Sequence, residues 1–144
     1  MTHSIKHLLH IASSQENVFE NLTTIKGLSQ WWTTETSGST ELGGIIEFRF
    51  SEWVNKMKVI ASKPNELVKW ECVQGADEWL GAIISFHLDR NENKTRIRFE
   101  HDKWNTQDDF YASCSFSWGK YLESLRQLCQ TGKGEAFGSS NYRI

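Results

Sequence analysis

From His3 to Ala12, the residues Ile5, His7, Leu9 and Ile11 alternate with Lys6, Leu8 and His10. A period of two is that of an extended strand, whose side chains point alternately to its two faces. Ser13, followed three positions later by Glu16, has the form of a capping box, and Val18, Phe19 and Leu22 then recur at helical spacing. Gly27 interrupts this helix, and a short second helical turn carries Leu28 into Trp31-Trp32. The polar stretch from Thr33 to Gly44 reads as a loop. Five strand-like segments follow it. Ile46, Phe48 and Phe50 alternate with Glu47 and Arg49; Met57 and Val59 with Lys56 and Lys58; Val68, Trp70 and Cys72 with Lys69 and Glu71. Trp79 through Leu88 places Ala82, Ile84, Phe86 and Leu88 on one side, and Ile97, Phe99 and His101 alternate with Arg96, Arg98 and Glu100. The connections, among them Lys63-Pro64-Asn65 and Asp89 to Asn93, are short, which favours an antiparallel meander.

The last element is the clearest. Between Gln107 and Gln130, apolar residues fall at Phe110, Cys114, Trp118, Tyr121, Leu125 and Leu128. At about 100° per residue these occupy an arc of roughly 80°, one narrow stripe on a long helix. Asp108 and Asp109 suit its positive amino end, and Gly132 suits its stop. Such a helix is about 36 Å long, enough to cross a whole sheet. Phe116 falls off the stripe. The order strand, helix pair, five-strand meander, long helix describes an α+β fold in which an antiparallel sheet curves around an amphipathic helix.

Length and composition narrow the class. A chain of 144 residues can bury roughly 68–70% of its unfolded surface around one core. Sixteen Lys+Arg against 18 Asp+Glu leave a formal charge of −2, which argues against nucleic acid as a partner. No apolar run reaches the ~20 residues of a membrane span, so no membrane insertion is expected. No secretory signal is read at the amino terminus, and Cys72, Cys114 and Cys129 form neither a disulfide framework nor a zinc motif; a reducing cytoplasm suits them. Hydrophobic residues make up only 38% of the chain, yet 12% is aromatic, with seven Trp and eight Phe. So many rings suggest a lined cavity, the alternative being a solid aromatic core.

Particular words carry a resemblance. Val18-Phe19 with Leu22-Thr23, then Leu28-Ser29-Gln30-Trp31-Trp32, resembles the start of the activator-of-heat-shock-protein-90-ATPase-like branch of the START-like (SRPBCC) superfamily. Gly43-Gly44, Phe48, Leu67-Val68-Lys69-Trp70, the segment ending Phe99 to His101, and Trp118-Gly119-Lys120-Tyr121-Leu122 through Leu125 support it. The resemblance covers about Ile5 to Gly134. It implies a helix-grip (START-like, Bet v 1-like) domain over residues 1–134, followed by a tail, 135–144, that is either loose or docked on a partner chain. It also implies a deep cavity between sheet and last helix, used in the superfamily for lipids, polyketides and other small apolar molecules.

The candidate ligand-binding residues are therefore Phe48, Phe50, Trp70, Ile84, Phe86 and Phe99 from the sheet and Phe110, Cys114, Trp118 and Tyr121 from the long helix. Trp31 and Trp32 stand where the family places a rim. Adjacent residues of a helical turn cannot share a face, so one ring should pack inward and the other lie more exposed, unless both simply anchor the helix pair. Trp79 and Trp104, next to turns, are candidates for the other edge or for ordinary packing. His101 has inward parity with Glu100 and Asp102 flanking it. It is the one weak catalytic candidate, a general base or an orienting group, though a structural histidine is the commoner case. His3, His7 and His10 lack the spacing of a metal site, and no metal or cofactor is expected. No nucleophile elbow or phosphate loop is present. Cys114 in an apolar setting is expected to be inert.

The leading expectation is non-catalytic binding of a small hydrophobic or aromatic ligand, with catalysis left open. Two alternatives come from the superfamily: stimulation of a heat-shock ATPase, and cyclase- or aromatase-like turnover using His101. The first is associated with a preceding amino-terminal domain in eukaryotic relatives, and this chain begins directly at its first strand, which lowers it. A second copy of the chain, as a homodimer, is a further candidate partner.

Overall fold

A computed structural model describes residues 1–143. The chain runs β1 (His3–Ile11), α1 (Gln15–Thr23), α2 (Ile25–Trp31), β2 (Glu35–Gly38), β3 (Ile45–Phe50), β4 (Trp53–Lys63), β5 (Leu67–Gln74), β6 (Ile83–Asn91), β7 (Lys94–Trp104) and α3 (Asp109–Thr131). The seven strands form one antiparallel sheet in the order β1-β7-β6-β5-β4-β3-β2. Successive hairpins build β2 to β7, and β1 then joins the far edge beside β7. Register shifts between β4 and β5, with Val73 of β5 the extra residue at Lys56/Met57 and Ile60 of β4 the extra residue at Val59/Ala61, bend this part of the meander. The curved sheet wraps α3, the helix-grip arrangement expected from the sequence.

Alternation works as expected on the concave face. Ile46, Phe48, Met57, Val59, Val68, Trp70, Cys72, Ile84, Phe86, Ile97 and Phe99 are all buried. Lys63-Pro64-Asn65-Glu66 makes a tight turn, with Pro64 setting one backbone angle and Asn65 adopting φ 66°; the Glu66 amide donates to the Lys63 carbonyl. The long helix also follows its stripe. Asp108 caps it by accepting from the Tyr111 amide, and Gly132 ends it in the left-handed region at φ 85°. Phe116, off the stripe, is exposed and lies beneath the Lys120 ammonium.

Four local expectations need correction. Ser14, not Ser13, caps α1, accepting from the Asn17 amide; Ser13 instead receives the Asn17 side-chain amide. Gly27 does not break the helix pair. The break is at Thr24, whose extended backbone ends α1 and whose hydroxyl caps α2, while Gly27 lies inside α2. The glycine is needed there because a Cβ would meet the Asn21 Cα at 2.5 Å, so its bareness sets how closely α1 and α2 approach. Residues 33–44 are not all loop: Glu35–Gly38 pairs with β3 as an edge strand. Finally, the strand expected from Trp79 starts only at Ile83, because residues 76–80 form a turn closed by the Trp79 and Leu80 amides on the Ala76 carbonyl.

The tail packs on its own domain. The Phe137 amide donates to the Trp32 carbonyl and the Thr34 amide to the Phe137 carbonyl, a single parallel bridge onto the start of β2. Ala136 is fully buried, and the Phe137 ring sits 5.5 Å from Phe50 and 5.2 Å from Tyr142. Among the described residues, no helix is long and apolar enough to cross a membrane.

Candidate functional site

The space between sheet and α3 has two ends. Toward α2 it is filled with rings. Trp32, one residue past the end of α2, lies 4.3 Å from Phe48, 5.0 Å from Trp118 and 6.1 Å from Trp70, measured between ring centroids. Phe86 touches Trp70 at 5.1 Å and Phe99 at 5.3 Å, and Phe99 meets Trp118 at 4.6 Å. Trp31 stacks behind Trp32, and its indole donates to the Asn21 carbonyl of α1. Both tryptophans of the pair are buried, contrary to the expectation of one exposed ring. The reason is local: Trp31 is the last helical residue, covered by α1, whereas Trp32 caps the helix and turns under the sheet.

At the other end an open cavity of about 490 Å³ remains. Trp32 forms its floor. Phe50 of β3 with Trp53 and Asn55 of β4 make one wall, Ala76 and Trp79 from the β5–β6 connection another, and α3 supplies Phe110, Ser113, Cys114, Ser117, Trp118 and Tyr121. Trp53 and Phe110, at 52% and 39% exposure, stand at the mouth. Asn55 is buried and accepts from the Trp53 indole, which fixes that ring at the rim. A cavity of this size, mostly aromatic with few polar groups, has the character of small-molecule sites.

Of the residues expected from the sequence, Trp32, Phe50, Phe110, Cys114, Trp118 and Tyr121 line this cavity together. Trp31, Phe48, Trp70, Ile84, Phe86, Phe99 and His101 do not; they are packed in the filled interior. Trp53, Asn55, Ser113 and Ser117 were not singled out. Asn55 shares the inward parity of Met57 and Val59, so strand period would have found it, whereas Ser113 and Ser117, each one residue before a stripe residue, fall outside the apolar stripe of α3 and helical period gives no signal for them. Trp79, one of two expectations left open between rim and packing, lines the wall; Trp104 is 2% exposed and packed.

The polar chemistry lies along this wall. Burial pushes the Cys114 thiol up, the Glu78 and Asp108 carboxylates push it further, and the Trp79 indole partly opposes them. Burial likewise pushes the Tyr121 hydroxyl upward, with Tyr142 adding to the shift. His101 is wholly buried immediately behind the wall. Its ring lies 4.6 Å from Trp79 and 5.0 Å from Trp104, and its Nδ1 accepts from the Trp118 indole at 3.1 Å. An indole N–H only donates, so Nδ1 carries the lone pair and the proton of neutral His101 is on Nε2. Burial holds its pKa down at about 4. The flanking carboxylates are engaged elsewhere, Glu100 by the Ser4 hydroxyl and Asp102 by the Ile83 amide. His101 therefore has no carboxylate partner and no free basic nitrogen.

A larger hollow, about 880 Å³, lies on the outer face of the sheet. There Leu8, Arg98 and His87 stand in register across β1, β7 and β6, among Lys6, Glu66 and Glu100. Its walls are mixed charges on a solvated surface, without the aromatic enclosure of the smaller cavity.

A family model described as Activator of Hsp90 ATPase homolog 1-like protein matches residues 12–130. The solution structure of the Aha1 dimer from Colwellia psychrerythraea is 38% identical, covering 92% of this chain and 99% of that one with a TM-score of 0.84. The crystal structure of CalU16 from Micromonospora echinospora, 14% identical, covers 88% of this chain and 74% of its own with a TM-score of 0.73. DynU16, from the dynemicin biosynthetic locus, is 15% identical and covers 91% of this chain and 48% of its own at 0.71. No curated protein matches by sequence.

Proposed function

The chain belongs to the Activator of Hsp90 ATPase homolog 1-like family, and from that premise we propose that it binds one small, largely apolar ligand in the cavity between the end of the sheet and α3. The observation that carries this reading is the aromatic-walled cavity itself, open at Trp53 and Phe110 beside a tightly packed cluster of rings. Rings that could have closed over one another instead surround a space of about 490 Å³. Burial of apolar ligand surface supplies the affinity, at roughly 25 cal/mol per Å² before ordering costs. The sharing of this fold with a protein of the dynemicin biosynthetic locus is in keeping with a small-molecule role.

Nile red, an uncharged dye that brightens in apolar surroundings, tests the reading directly. It is expected to bind saturably at one site in the native chain and to fail in Ser117→Trp, whose new ring fills the cavity while the far-UV spectrum stays native. Equal binding by both proteins, or none by the native one, sinks the proposal.

A second reading concerns assembly. The 38% identical Colwellia protein is a dimer, and a homodimer is the state we infer for this chain. Light scattering on the eluting protein should return twice the 16.7 kDa chain mass; a monomer at every concentration overturns it.

A further inference from the structure

Among the described residues, three buried nitrogens lack a hydrogen-bond partner: Trp79 Nε1, His101 Nε2 and Trp104 Nε1. All three are donors. The indoles can only donate, and the Trp118 contact places the proton of His101 on Nε2. They also belong to one cluster, with His101 between Trp79 and Trp104. Buried donors without acceptors are uncommon and costly; here Trp79 lines the open cavity, and His101 and Trp104 are packed directly behind it. Trp79 is the piece between cavity and histidine. It is only partly buried and rides on the β5–β6 connection, with half-exposed Leu80 beside it and Gly81 at φ 80°. Its N–H lies close enough to the Cys114 sulfur to lower that thiol's pKa, but the contact falls short of hydrogen-bond geometry, and a thiol is a weak acceptor.

We propose that the inner wall of the cavity is a carbonyl-recognition subsite: when the Trp79 indole turns aside, the N–H groups of His101, Trp104 and Trp79 receive an uncharged oxygen acceptor at the tip of a flat apolar ligand. This deepens, and rests on, the ligand-binding reading of the same cavity. A wall made only of donors rejects an amine, whose N–H groups would face other N–H groups. A carboxylate meets a second obstacle, because Glu78 and Asp108 already disfavour negative charge at Cys114 in this wall. A ketone, ester or amide oxygen meets neither. The apolar body then lies against Phe50, Trp118 and Tyr121 and leaves by way of Phe110.

Four naphthalenes of matched shape test this on the full-length protein labelled with nitrogen-15: 2-acetylnaphthalene, 2-isopropenylnaphthalene, 2-naphthoate and 2-(aminomethyl)naphthalene. The ketone is expected to bind about tenfold more tightly than the alkene, in which the oxygen is replaced by carbon. Only the ketone should move the Trp79 and Trp104 indole proton resonances downfield. His101→Phe and Trp104→Phe should each erase the ketone's advantage while leaving alkene affinity in place; if the histidine variant does not fold, the Trp104 variant and the native resonances decide. Equal affinity of ketone and alkene, unmoved indole resonances, or tighter binding of the naphthoate overturns the subsite while leaving the cavity as an apolar site. Failure of all four to bind removes the subsite and the cavity reading together.

Discussion

The two ends of the interior use the same residue types to opposite effect. At the filled end Trp31, Trp70, Phe86 and Phe99 sit at 0–2% exposure and touch one another ring to ring. The buried indole of Trp31 donates to a backbone carbonyl. At the open end Trp53, Trp79 and Phe110 keep part of their surface free, and three buried N–H groups have no acceptor. An aromatic residue pointing inward is thus not evidence of a cavity or of a core. The difference is set by what stands opposite: Trp32, at the end of α2, plugs one end, whereas the turn at residues 76–80 and the amino-terminal half of α3 leave a gap at the other.

The largest test of this contrast is Trp70→Ala. Removing a fully buried ring from the filled end deletes its burial energy and leaves a cavity, so unfolding in urea should show a loss of about 3–5 kcal/mol. A loss under about 1 kcal/mol would mean that the filled end is as loose as the open one, and the comparison would fail.

Acidification should cost nearly as much. Burial lowers the His101 pKa from 6.5 to about 4. Between those values the unfolded chain binds a proton that the folded chain refuses, so stability rises with pH across the window and is lost as pH falls from 6.5 toward 4. The shift corresponds to on the order of 3 kcal/mol. His101→Gln, whose amide oxygen can still accept from Trp118, should flatten this part of the stability profile relative to the native protein. Exposed pairs such as Asp89 with Arg96, which holds that carboxylate down at about 2, act at lower pH and remain in both proteins. Parallel profiles for the two proteins would show that His101 is protonated without cost, as it would be if water reached it.

Face was legible in the sequence, and depth was not. Alternation in β3 to β7 and the stripe on α3 identified the inward residues, because period 2 and period 3.6 report direction. Neither reports how far along the sheet a residue lies, so period groups Phe48 and Trp70 with Phe50 although only Phe50 reaches the cavity. β2 was missed because an edge strand whose residues, Thr36 apart, are exposed has no apolar alternation to show. Ser13 and Ser14 both offer a capping hydroxyl, and only the backbone path chooses between them. Gly27 looked like a helix breaker; its role is to admit Asn21, a contact between helices that one-dimensional spacing cannot display.

A pair of matched substitutions sharpens the contrast at smaller energies. Trp31→Phe and Trp104→Phe each shorten a buried ring, but only the first strands an acceptor, the Asn21 carbonyl. The Trp104 N–H has no protein partner to strand. Trp31→Phe should therefore cost about 1 kcal/mol more than Trp104→Phe in denaturant titrations. Equal costs would mean that the Trp104 donor is satisfied in solution, by water if by nothing else.

Phe110→Ala is the smallest perturbation of the fold and the most selective for the open end. The ring is 39% exposed at the mouth and touches Trp104 at 5.7 Å. Partly exposed positions of this kind contribute little, so the unfolding free energy should change by less than about 1 kcal/mol, far from the loss at Trp70. Its effect should appear in binding. A rim ring covers bound ligand from water, and truncating it uncovers apolar surface that had been buried, so Nile red should leave faster while its rate of entry is little changed. A variant that loses several kcal/mol of stability would place Phe110 in the core, and one that binds and releases the dye as the native chain does would remove it from the site. Stability and release respond to different ends of one aromatic interior, and this residue is where the two responses should separate most cleanly.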